Sequence, residues 1–124
     1  MSLRASLAAP VAAALLVPAA HARPLTTAPV YVLTIHVTIT DARVVLDRSS
    51  APRGVEARFV IQNVGTRAHN FTLNGARARF SRTLAPHRRK VALLFLDYRG
   101  RVPYLDALPA ERSKSGMRGF FVID

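Results

Sequence analysis

The sequence predicts an all-β domain of seven or eight short strands, a β-sandwich or a small barrel. Three observations predict it. Residues 30–40 (VYVLTIHVTIT) alternate with a period of two in β-branched residues. Further short apolar runs follow, separated by Gly, Pro, Asn and Ser turn signals. No segment carries the 3.6-residue period of a long helix.

In residues 30–40, Tyr31, Leu33, Ile35, Val37 and Ile39 share one face, and Thr34, His36, Thr38 and Thr40 share the other. His36 therefore reads as a solvated strand residue. Residues 43–47 (RVVLD) make a second, short strand, and Ser49–Gly54 a turn. Val55–Asn63 alternates again, with Val55, Ala57, Phe59 and Ile61 inward. Asn63-Val64-Gly65 ends it, and His69–Leu73 follows as a strand. Asn74-Gly75 predicts a hairpin turn, since both residues accept positive φ. Phe80–Pro86 reads as irregular and Val91–Leu96 as a buried strand. Gly100 marks a turn, Tyr104 and Leu105 end a further strand, and 107–116 is a polar loop with room for one helical turn. Gly119–Ile123 is the last strand.

The first residues are of another kind. Arg4 precedes an apolar run, Leu7–Ala20, and Ala20-His21-Ala22 supplies the small-x-small pattern of a signal-peptidase site. Residues 1–22 read as a signal peptide, 23–29 (RPLTTAP) as a flexible leader and 30–124 as one domain. The run is too short to span a bilayer, so no transmembrane segment is expected in the mature chain. A periplasmic or secreted location follows. Export permits disulfides, yet the chain has no Cys. That absence excludes thiol nucleophiles, zinc ribbons and iron–sulfur ligation.

The formal charge is +11, and removal of residues 1–22 takes one arginine away and leaves about +10. The basic residues are spread along the chain, densest at Arg88-Arg89-Lys90. Such a surface suits an acidic protein or an anionic surface. Nucleic acid is not expected, because there is no recognisable motif and few aromatics for base stacking.

Two segments carry a family resemblance. One is Asn63-Val64-Gly65 followed by His69-Asn70-Phe71. The other is Pro103–Asp124, which ends in Gly116-Met117-Arg118-Gly119 and a hydrophobic strand. Their order and spacing resemble the cupredoxins, the periplasmic blue copper proteins, from about Val30 to Asp124. The resemblance implies a cupredoxin-like Greek-key β-sandwich. It also implies a metal site at four positions. His69 matches the first His ligand and Met117 the axial Met. Asp106 stands where the family has Cys, and Glu111 stands where it has the second His. The loop from Glu111 to Met117 is also one residue longer than the family's.

A blue copper site rests on a copper–thiolate bond, which the carboxylate of Asp106 cannot replace. The site is therefore read as degenerate. No cofactor is expected, and copper is the alternative that the resemblance leaves open. His69, Asp106 and Glu111, with Met117 at the edge, would suit harder divalent ions or hold Cu(II) weakly. Against this, Asp106 and Glu111 are expected to pair with Arg112, Lys114 or Arg118 of their own loop. Met117 is expected in the core, and His69 with Asn70 is expected to tie the ligand loops together. His87 reads as a surface residue in a basic turn.

Catalysis is not expected. There is no Ser nucleophile motif and no phosphate loop. Neighbouring cations would keep Asp106 and Glu111 ionised, which argues against an acid/base pair. The expectation is a non-catalytic binding or accessory module. The alternatives are copper transfer or storage through His69 and Met117, and adhesion to anionic surfaces.

Overall fold

The computed structural model describes residues 31–124. The signal and leader readings fall on residues 1–29, outside the described residues. Nine strands form: β1 (Val32–Ile39), β2 (Val44–Leu46), β3 (Ser50–Ala51), β4 (Glu56–Asn63), β5 (His69–Asn74), β6 (Arg79–Leu84), β7 (Arg89–Phe95), β8 (Gly100–Leu105) and β9 (Arg118–Ile123). They make two sheets, ordered β2-β1-β4-β7 and β3-β9-β8-β5-β6. Pairing is antiparallel except for β1 with β4 and β3 with β9. This is the all-β sandwich that the alternation predicts. No helix among the described residues is long and apolar enough to cross a membrane.

The inward positions of β1 and β4 are the apolar half of their alternation. Ile35, Ile39, Ala57, Phe59 and Ile61 are wholly buried. From the second sheet, Phe71, Leu73, Val102 and Phe121 meet them. Phe59 is the centre of the packing, with ring centroids 6.2 Å from Phe71, 5.1 Å from Phe80 and 5.6 Å from Phe121. His36 lies exposed on the outer face, as its place in the alternation requires.

Four local expectations change. Phe80–Pro86 is largely strand: β6 pairs with β5 from His69↔Leu84 to Asn74↔Arg79. Its polar sequence hid the strand, because β6 is an edge and most of its residues face water. The two residues of β3 were also hidden, inside a turn signal. Val91–Leu96 is not a buried strand. It forms most of β7, an edge strand on which Val91, Leu93 and Phe95 are exposed. Finally, the hairpin at Asn74-Gly75 forms, but neither residue has positive φ. The connection instead bends over 75–78, closed by Gly75 N–H donating to the Ala78 carbonyl at 2.9 Å. Glycine is needed there for closeness, since a Cβ on residue 75 would lie 2.8 Å from the Tyr98 hydroxyl.

Candidate functional site

Three loops meet at one end of the sandwich. The first joins β1 to β2. Thr40 Oγ1 accepts the N–H groups of Ala42 and Arg43 at 3.1 and 3.0 Å, a hydroxyl-capped turn that sets the place of Asp41 between them. The second joins β4 to β5. Asn63 is wholly buried. Its Oδ1 accepts Gly65 N–H at 2.8 Å, and its Nδ2 donates to the carbonyls of Arg67 and Leu84 at 2.8 and 3.0 Å. The Asn-x-Gly signature thus shapes the loop that leads to His69. Gly65 must be small, because a Cβ there would run into the Asp41 carboxylate and come within 3.0 Å of His69 Nε2. The third loop runs from β8 to β9. It contains one helical turn, closed by Arg112 N–H to the Leu108 carbonyl at 3.0 Å, and a 3₁₀ turn at Ser115–Met117.

His69 opens β5 and is wholly buried. Its Nδ1 lies 2.8 Å from Asp106 Oδ2, and its Nε2 lies 2.9 Å from Asp41 Oδ1. Both ring nitrogens face carboxyl oxygens, and each is engaged in one hydrogen bond. Asp106 is also wholly buried, and its Oδ1 accepts Leu108 N–H at 3.1 Å. Asp41 accepts in addition the Thr66 hydroxyl at 2.6 Å, Thr66 N–H at 3.0 Å and Arg67 N–H at 3.3 Å. Thr66 first, then His69, holds the Asp41 carboxyl well below the usual carboxylate range.

Glu111 completes the cluster. It is 2% exposed, and one ligand-type atom from each of His69, Asp106 and Glu111 lies within 4.8 Å of the others. Its carboxylate is already engaged: Lys114 Nζ donates to Oε2 at 2.9 Å, and Arg67 donates to Oε1 through Nε at 3.2 Å and through its NH2 group at 2.8 Å. Lys114 foremost, and Arg67 with it, holds the Glu111 carboxyl below its ordinary range against the opposing effect of burial. Arg67 is correspondingly raised by its bonds to Glu111.

The four residues read from the sequence therefore divide. His69, Asp106 and Glu111 come together. Met117 is wholly buried in the apolar core and joins the cluster only through its backbone, where its carbonyl accepts Asp106 N–H at 2.8 Å. The expected loop pairing holds for Glu111 with Lys114 but not for Asp106, whose partner is His69. Arg112 and Arg118 form no ion pair among the described residues. Both acids are buried rather than on the surface. The tie between the ligand loops is present. His69 binds Asp41 of the first loop and Asp106 of the third, and Asn70 Oδ1 accepts Ala107 N–H, also of the third loop, at 3.1 Å. His87 lies exposed in the turn between β6 and β7 with φ of 63°, in the left-handed region that few residues other than glycine adopt.

Asp41 and Arg67 are the site residues that the sequence did not disclose. Asp41 lies 28 residues before the histidine it binds, in a turn with no counterpart in the ligand pattern. Arg67 offered a weaker clue, as a cation two positions before His69.

Comparisons with solved structures bear on the fold. Auracyanin from Roseiflexus castenholzii, in a dithionite-reduced crystal structure, superposes with a TM-score of 0.59 at 15% identity, covering 73% of this chain and 96% of that one. Auracyanin A from Chloroflexus aurantiacus, described as a "blue" copper protein, gives 0.56 at 13% identity, covering 75% and 99%. This chain has the cupredoxin fold. Auracyanin B superposes equally, at 0.56 and 13% identity, with 77% and 90% covered. No family model and no curated protein matches the sequence.

On that fold the residues present do not fit a blue copper centre. No thiolate is available, since the chain has no Cys. His69 has both ring nitrogens engaged by carboxyl groups, so a metal would have to displace one of those hydrogen bonds. Every buried side-chain nitrogen and oxygen among the described residues has a hydrogen-bond partner. The arrangement can brace three loops with buried charge. It holds no nucleophile beside a free base.

Proposed function

We propose that this chain is an exported, copper-free cupredoxin-like domain that serves as a non-catalytic binding or accessory module. One observation carries the reading: the His69 ring lies between Asp106 and Asp41, at 2.8 and 2.9 Å. These two hydrogen bonds do there what a metal would do, holding the loops together. A cation entering the cluster would have to displace one of them and also free Glu111 from Arg67 and Lys114. Seven acids against eighteen basic residues leave most arginines without a carboxylate, which supports an acidic protein or an anionic surface as the partner.

A second reading has one point in its favour, the grouping of His69, Asp106 and Glu111 within 4.8 Å. In it the chain holds copper for transfer or storage. Metal analysis of the purified chain from residue 23, followed by titration with Cu(II) and Cu(I), separates the two. The copper-free reading expects no equimolar binding and a His69→Ala variant altered only in stability. One bound copper, removed by His69→Ala or Met117→Ala, overturns that reading and makes copper handling the function.

A further inference from the structure

We infer that β7 is a self-association edge, at which two copies of this chain join antiparallel, β7 to β7, into one continuous eight-stranded sheet. Two independent features coincide on the same residues. The first is apolar exposure. Val91, Leu93 and Phe95 are 40, 60 and 56% exposed, and they line the outer face beside Val60, Arg58 and Glu56 of β4. The second is a backbone edge that no other described strand covers. Among the described residues β7 is the last strand of its sheet. Asn63 N–H bonds the Arg88 carbonyl and Leu96 N–H bonds the Val55 carbonyl, so the pairs that bond to β4 run 63/88, 61/90, 59/92, 57/94 and 55/96. The backbone groups of Arg89, Val91, Leu93 and Phe95 therefore point away from β4, toward the open edge. Flat edges with apolar side chains are where natural sheets add a strand.

The occupant follows from the pattern of β7 itself. Only residues of the same parity can pair at this edge, because only they present both backbone groups and outward side chains. Antiparallel pairing about a two-fold axis at Ala92 meets that condition. It sets Val91 opposite Leu93 and Arg89 opposite Phe95, so the cations of the two copies never face one another. It also places Arg89 over an aromatic ring and two strand spacings, about 10 Å, from Glu56 of the other copy, within reach of two long side chains. Glu56 and Arg89 each lack an ion-pair partner among the described residues. The pair is made twice, once on each side of the axis, as an isologous interface requires.

Salt sets this association apart from capture of an acidic partner. Two copies of a strongly basic chain repel, so added salt strengthens their pairing, while it weakens binding to an anion. Sedimentation velocity of the purified chain from residue 23, over a range of concentrations and at low and high salt, tests it. The expected result is a reversible dimer, favoured by salt, with a dissociation constant raised roughly tenfold or more by Leu93→Lys. Glu56→Arg weakens the dimer and Glu56→Arg with Arg89→Glu restores it, a rescue that a misfolded variant cannot give. A monomer at every concentration and salt overturns the inference, as does a dimer that Leu93→Lys leaves intact. A monomer that dimerises only when residues 23–30 are removed also overturns it, and assigns the edge to the chain's own leader.

Discussion

At the His69 end of the sandwich, polar and charged groups are buried and all of them are matched. At the β7 edge, apolar groups are exposed and the backbone is left open. His69, Asp106 and Glu111 are each at most 2% exposed, whereas Leu93 and Phe95 are more than half exposed. The two regions differ in what a single substitution would disturb. In the first, every side chain is a partner to another, so removal of one leaves a buried charge alone. In the second, side chains touch little of their own chain, so stability is insensitive and association is not. Stability and recognition are thus carried by different parts of one small domain.

The largest expected effect is on the first region. His69→Ala leaves Asp106 buried without its partner and should cost about 3–5 kcal/mol, read from urea denaturation. Removing both partners, His69→Ala with Asp106→Ala, should cost less than the sum of the single variants, because no unpartnered buried group of the pair then remains. Additive losses would show that the His69–Asp106 bond is not the brace described.

Gly65→Ala should follow in size. Its methyl group meets the Asp41 carboxylate and lies 3.0 Å from His69 Nε2, so the loop must shift and the Nε2 bond lengthen. Overpacking of this kind costs about 1–3 kcal/mol. An unchanged midpoint would mean that the Asp41 bond contributes little.

Acid should separate the regions next. The Asp41 and Glu111 carboxyls are held below their ordinary range in the folded chain. A depressed folded value means that the stabilisation is present above the unfolded value, near pH 4, and is lost as pH falls through the folded one. Stability should therefore hold from neutral pH down to about 5 and fall below about 4. Asp41→Asn should flatten that acid limb. A parallel limb in the variant would assign the acid sensitivity to other carboxylates.

Much of this was legible in the sequence, for identifiable reasons. The alternation in β1 and β4 disclosed both strands and their inward faces, because each strand has a core side and an outer side. His69, Asp106 and Glu111 were found through the resemblance to the cupredoxins, and the structure groups them. What remained hidden was non-local or lay at an edge. In β6 only Phe80 and Leu84 are apolar, too sparse a pattern among polar residues to read as a strand. The apolar run in β7 reads as core, although only Ala92 and Leu94 of it face inward while Val91 and Leu93 do not. Asp41 could not be read, because its role depends on a turn that brings it to a residue 28 positions away.

The smallest expected effect sharpens the comparison from the other side. Leu93→Lys removes a large apolar side chain, which in the core would cost several kcal/mol. Leu93 is 60% exposed on an edge strand, and its outward side chain is not part of the core cluster. Its replacement should change monomer stability by no more than about 0.5 kcal/mol, measured by chemical denaturation at a concentration too low for dimers. A loss comparable to that of His69→Ala would mean that the outer face of β7 is packed against the chain itself, and the contrast between the two regions would fail.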